Sequence, residues 1–169
     1  TGVGDESSYF RIITSRLDKG GNAFDQQRRD EAALRAVPGV VSASWSNQSP
    51  LGRSGWNMGL QTTREQTNSN INGAFYMVPN PVVSTFGTHL VEGRDFTADD
   101  VVEWDPNANN DLGHIAIVTQ ALAKKLYPDG SAIGKPVYIG DGADANELRI
   151  VGVVDRLQTP WAQASENAE

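Results

Sequence analysis

ALAKKLYPDGSAIGKPVYIG, residues 121–140, decides how the chain is read. It sets a Gly134-Lys135 pair behind a glycine-bearing turn, which raises the question of a phosphate-binding loop. Such a loop needs G-x-x-x-x-G-K-[ST] after a strand and at the start of a helix, so that backbone amides surround the phosphates. Here the spacing from Gly130 to Gly134 is one residue short, and Pro136 stands where the magnesium-binding hydroxyl belongs. The order of elements is also reversed. TQALAKKLYP predicts a short helix with Thr119 as N-cap and Leu122 and Leu126 four apart, and KPVYIG predicts a strand. The stretch therefore reads as a helix, a Pro128-Asp129-Gly130 turn, and a second turn that carries Ile133 into the core.

The neighbouring residues extend this pattern in both directions. HIAIV ahead of the helix reads as a buried strand, and LRIVGVVDRL reads as a strand joined to KPVYIG by the hairpin loop DGADANE. Further upstream, YFRIITSRL (residues 9–17) is rich in apolar and β-branched residues and predicts a strand. DQQRRDEAALRAVPGV predicts a helix with Asp25 as N-cap, an apolar stripe of Ala33, Leu34 and Val37, and a stop at Pro38-Gly39. VVSASWS alternates, with Val41, Ala43 and Trp45 on one face, and predicts a half-buried strand. WNMGLQTT and AFYMVP predict two more strands around a polar loop. NPVVSTFGTH predicts a helix of one or two turns, with Pro81 near its start and Gly87 as a left-handed cap. Leu90 and Phe96 are expected as apolar anchors. This order of elements fits an α+β domain, with no repeat of solenoid or propeller length.

Composition narrows the function classes. The chain has 169 residues, 14 basic against 21 acidic, and a net charge of −7. A nucleic-acid surface normally needs a basic stripe, so that class is disfavoured, as is a polybasic lipid contact. There is no cysteine, which excludes disulfide frameworks, zinc thiolate sites and cysteine nucleophiles. No apolar run approaches 18 residues, and no signal peptide is visible.

Motifs that carry chemistry are weak. Gly52-Arg53-Ser54-Gly55 hints at a nucleophile elbow, but Trp56 stands where the last glycine belongs. Only His89 and His114 could act as base for Ser54. Asp105, Asn107, Asn109 and Asp111 alternate as calcium ligands do, yet Asn110 replaces the glycine of a calcium loop and Ala116 replaces its bidentate glutamate. The two histidines are 25 apart without a partner at helical spacing, so no metal or other cofactor is expected. Trp56, Trp104 and Trp161 lie in or beside polar stretches and are the interaction candidates, although each also suits a role covering local core.

Four stretches in order resemble the extracytoplasmic core domain of the FtsX-like, MacB-type ABC transporter permeases. They are LRAVPGVVSAS, FGTHLVEGRDFTADD, HIAIVTQALAKKLYPDGSAIGKPVYIG and LRIVGVVDRLQ, and the resemblance is taken to cover roughly residues 9–160. The resemblance makes Pro38, Gly39, Gly93, Arg94, Asp95, Phe96, Pro128, Ile133, Gly134, Lys135 and Gly152 structural motif residues. It implies a bilobed α+β fold: a porter-like lobe over residues 9–79, partly incomplete here, a sabre-like β-rich lobe with short helices over 80–160, and flexible ends at 1–8 and 161–169. In that family the domain lies between membrane helices, outside the cytoplasm, and holds no catalytic residue or cofactor. The resemblance further implies a periplasmic location in an inner-membrane protein. The expected partners are the protein's own transmembrane helices, a second permease copy, a cytoplasmic ABC ATPase, and a periplasmic adaptor or substrate. The competing expectations are a soluble periplasmic ligand-binding module and, more remotely, a hydrolase built on Ser54.

Overall fold

The computed structural model describes residues 23–66, 68–69, 71–79, 81–102, 112–140 and 145–161. Helix α1 (Ala23–Arg35) is followed by strands β1 (Asn57–Gln61) and β2 (Ile71–Ala74), then by helix α2 (Val82–Phe86) and strand β3 (Leu90–Gly93). A 3-10 turn at Ala98–Asp100 precedes β4 (Ile115–Thr119), α3 (Gln120–Leu126), β5 (Pro136–Ile139) and β6 (Asn146–Val154). The fold is α+β, and the six strands form one mixed sheet. The predicted strand over residues 9–17 lies outside the described residues.

β6 organises the sheet. Its first half pairs antiparallel with β5, from Ile139↔Asn146 to Pro136↔Arg149. Its second half pairs antiparallel with β3, where Gly93 meets Gly152 and Leu90 meets Val154. β4 runs parallel along β6 from Arg149 to Val154. A strand has two edges, and β4 overlaps the stretches paired with both β5 and β3, so those two share the edge opposite β4. β5 continues to β1, which pairs antiparallel with β2.

The register against β4 jumps from Ala116↔Ile150 to Ile117↔Gly152, leaving Val151 as the extra residue of a β-bulge. The bulge changes which side chains face the core. Leu148 and Ile150 point into the main apolar cluster, and beyond the bulge Val153 takes that place. Ile150 is 0% exposed, and Val137, Ile139, Leu60, Val118 and Leu126 complete the layer between sheet and α3. α3 starts as expected: the Thr119 side chain accepts the Leu122 N–H. Pro128 follows the helix end on the surface.

Several expectations are corrected. α1 begins two residues ahead of Asp25, which sits in its first turn and pairs with Arg28 instead of capping. The expected stripe of Ala33, Leu34 and Val37 is not the buried face: Ala33 and Val37 are exposed, Leu34 is half-buried, and Glu31 is the buried residue. VVSASWS forms no strand among the described residues, and Val41 is 94% exposed. The cause lies in α1. Glu31 accepts the Trp45 N–H at 2.5 Å, and Arg35 donates twice to the Ala43 carbonyl, at 2.7 and 3.1 Å. Side chains thus take the backbone groups that a ladder would use.

AFYMVP is displaced in the same way. The strand is Ile71–Ala74; the Phe75 N–H still donates to the Trp56 carbonyl at 3.2 Å, but side-chain amides take the Phe75 carbonyl and the Met77 N–H. Asn47 donates to the Phe75 carbonyl and accepts the Met77 N–H, while Gln48 donates to the carbonyls of Trp56 and Phe75. Leu90 is no core anchor; it is exposed on β3. The helix over 82–86 has Pro81 at its N-cap and Gly87 at φ 63°, in the left-handed region.

Gly93 and Gly134 both have positive φ, 77° and 78°. They differ in surroundings. A Cβ on Gly93 would lie 2.2 Å from the Val151 carbonyl oxygen and 2.6 Å from Ile133 Cδ1, whereas one on Gly134 would meet nothing within 4 Å. Gly134→Ala is therefore expected to cost about 1 kcal/mol, the strain of the left-handed backbone alone, and to lower the melting temperature by roughly 3 °C. Gly93→Ala must also displace the bulge, so its loss should be at least roughly twice as large. Equal melting temperatures for the two variants would contradict this account.

Candidate functional site

The Ile133-Gly134-Lys135 turn has no amide free for a phosphate. The Ile133 N–H donates to Ser131 Oγ, the Gly134 N–H to the Ile150 carbonyl at 2.8 Å, and the Lys135 N–H to the Ala132 carbonyl. Ile150 N–H in turn donates to the Lys135 carbonyl at 3.0 Å, so the turn is stitched to β6 just ahead of β5. The Lys135 ammonium lies 4.5 Å from the centroid of the Tyr127 ring, a cation–π contact across the turn. The turn is a joint between α3, β5 and β6.

Gly93-Arg94-Asp95-Phe96 forms the second joint, and each residue contributes separately. Gly93 lets the chain pass the bulge, and the Arg94 N–H donates to the Val151 carbonyl at 2.9 Å. Gly152 is the reciprocal small residue: a Cβ there would lie 2.3 Å from the Arg94 carbonyl oxygen. The Arg94 guanidinium makes two parallel hydrogen bonds to Asp100, at 2.6 and 3.0 Å. Asp100 also accepts the N–H and the hydroxyl of Thr97, both at 2.8 Å. Asp95 reaches back thirteen residues to cap α2, accepting the N–H groups of Val82 and Val83 at 2.9 and 3.0 Å. Phe96 is half-buried, and its N–H donates to Asp95.

The Arg94 hydrogen bonds, followed by the Thr97 N–H, hold the Asp100 carboxyl well below the usual carboxylate range. Asp155 is held low by the His89 N–H and then by the Arg156 N–H. The two hydrogen bonds to Asp155 measure 3.0 and 2.7 Å, and the Asp155 N–H returns a bond to the His89 carbonyl at 2.9 Å. These carboxylates tie β3 to the turn after it and to the end of β6.

Sequence reasoning raised a serine nucleophile with His89 or His114 as base. The structure places Ser54 in an exposed loop and His89 on the surface beside Asp155, with 3.3 Å between Nδ1 and Oδ2. No group of three metal-ligating side chains occurs among the described residues. Trp104 and the alternating oxygen ligands at 105–111 lie outside them. Trp56 is 63% exposed at the start of β1, and Trp161 is half-buried.

An open cleft, which no motif announced, lies between the sheet and α3 on one side and α1, residues 75–79 and α2 on the other. It has a volume of about 540 Å³. Its walls carry Phe24, Trp45, Phe75, Phe86, Phe96 and Leu122. Tyr76 packs edge-on against Phe86 with centroids 5.6 Å apart, bracing one wall. In sequence these aromatics are scattered over several segments, and periodicity within any one of them gives no sign that they converge.

A mixed sheet held by structural glycines and carboxylate caps defines the class of the domain as α+β. The model of the MacB-like periplasmic core domain matches residues 3–167, and the chain belongs to that family. The family is a periplasmic domain of ABC transporter permeases and is not a catalytic domain. Two solved structures share the fold. The extracellular domain of the noncanonic ABC-type transporter YknZ from Gram-positive bacteria aligns with a TM-score of 0.50 at 18% identity, covering 81% of this chain and 63% of that one. The periplasmic region of MacB from Actinobacillus actinomycetemcomitans aligns with a TM-score of 0.50 at 17% identity, covering 88% and 65%. The chain thus spans less than two thirds of the length of either. No curated protein matches the chain by sequence.

Two outcomes follow from the second joint. Asp95→Ala should uncap α2 and cost about 1–2 kcal/mol, read as a shift in the urea midpoint. Asp100→Asn should destabilise the domain at neutral pH. A carboxyl whose folded pKa is depressed contributes stability that is complete above its unfolded value, about 3.9, and is lost as pH falls toward the folded one. The gap between wild type and Asp100→Asn should therefore narrow below about pH 4. Denaturation midpoints measured from neutral to acid pH that stay a constant distance apart would remove Asp100 from this role.

Proposed function

We propose that this chain is the extracytoplasmic domain of an ABC transporter permease subunit of the inner membrane. The observation that carries this reading is the family match over nearly the whole chain, supported by the shared fold. On this reading the domain does no chemistry. A separate cytoplasmic ATPase domain or subunit hydrolyses ATP, the permease's own membrane helices transmit the movement, and a second permease copy moves with it. The outer domain then exports a substrate or acts mechanically on a periplasmic adaptor or other partner. The two joints suit such a role. A domain that transmits force needs its strands and helices locked to one another, and the hydrogen bonds around Val151, Asp95 and Asp100 do this. We also read the chain as two lobes, residues 9–79 and 80–160, meeting where β1 hydrogen-bonds to β5.

No helix among the described residues is long and apolar enough to cross a membrane, so on this reading the membrane part comes from flanking sequence. A hydropathy scan of the parent gene on both sides of residues 1 and 169 tests the reading. One apolar helix ahead of Thr1 and three behind Glu169, after further polar sequence, are expected. A cleavable signal peptide in front with no membrane helix behind would overturn it. The apolar cleft favours the second reading, a soluble periplasmic ligand-binding module, which that same result would support.

A further inference from the structure

The cleft carries an inference that neither the family nor the fold supplies. Its walls are aromatic and aliphatic, contributed by α1, residues 75–79, α2, Phe96, β4 and α3, and it is large enough for the apolar part of a small molecule. Water gains little in such a space, because it needs two to four polar partners and these walls present few. The polar groups at the rim are not equivalent. Asp100 borders the cleft, but Arg94 and Thr97 occupy its oxygens. Lys125, in the last turn of α3, also borders it, is exposed, and forms no ion pair among the described residues. The chain is acidic overall, and Lys125 is the one lysine or arginine among the described residues that border the cleft.

We propose that the cleft binds a single-chain anionic amphiphile, with its apolar chain between the aromatic walls and its anionic head at Lys125. Binding would combine apolar burial, which supplies affinity, with one charge contact, which sets the orientation. A carboxylate on an alkyl chain is the simplest such ligand. Trp45 on the cleft wall provides a reporter for it.

Purified protein titrated with dansylamino-undecanoate should show energy transfer from tryptophan to dansyl that saturates at one ligand per chain. Unlabelled laurate should displace the probe and abolish the transfer, and Trp45→Phe should reduce it. Lys125→Glu should weaken binding roughly fivefold or more, in keeping with the loss of one charge contact and its reversal. The methyl ester of the probe should bind wild type and Lys125→Glu alike. Ala121→Phe, at an exposed position on α3 that borders the cleft, should block it without disturbing the core. Bound ligand should also raise the melting temperature of the wild type, since it binds the folded form alone.

Transfer that rises without saturating, or that is unchanged in both Ala121→Phe and Lys125→Glu, would overturn the proposal. So would a cleft already filled by other segments of the protein, which would show as no binding by folded wild type. The inference does not rest on the permease reading. A permease domain and a free-standing module could both hold such a site, and the flanking-sequence test decides between them whatever the titration shows.

Discussion

The close passage of Gly93 and Gly152 around the Val151 bulge is the constraint on which the described structure depends. β6 has to serve β5 and β3 on one edge and β4 on the other. The extra residue at Val151 turns its carbonyl to meet the Arg94 N–H, and it shifts the core-facing position so that Val153 follows Ile150 in the apolar cluster. Neither adjustment leaves room for a side chain on the two glycines. With the bulge set, the Ile133-Gly134-Lys135 turn can bond to Ile150 one residue away, and Ile133 fits beside Gly93.

From that joint the order spreads by charge-assisted hydrogen bonds. Arg94 secures the 3-10 turn through Asp100, Asp95 caps α2, and Asp155 ties the end of β6 to the start of β3. A five-residue helix such as α2 is too short to be stable by its own backbone hydrogen bonds. The Asp95 cap and the burial of Val82 and Phe86 against the rest of the fold supply what it lacks. The polar residues of the motif therefore act as structural connectors, in keeping with a family whose domain is not catalytic.

The local elements with strong signals were legible in sequence. Thr119 caps α3, Gly87 closes α2, Pro38-Gly39 follows α1, and HIAIV, KPVYIG and LRIVGVV are strands. The rejection of a phosphate loop was also legible, because spacing and Pro136 exclude it on their own. The two misplaced strands share one cause. In VVSASWS and AFYMVP the alternation is present, but Glu31, Arg35, Asn47 and Gln48 take the backbone groups that a strand partner would have used. No local pattern encodes a side chain that competes from fourteen or thirty residues away.

The sequence by itself determined the composition class, the family resemblance and the turns that need glycine, since each depends on residues adjacent in the chain. The tertiary structure alone decided which glycine is crowded and which is only left-handed, which strand carries the bulge, and that six scattered apolar residues wall one cleft. Those properties depend on which segments meet in space. Gly93 and Gly134 look alike in sequence, and the difference between them is a carbonyl oxygen that belongs to Val151, fifty-eight residues on from Gly93.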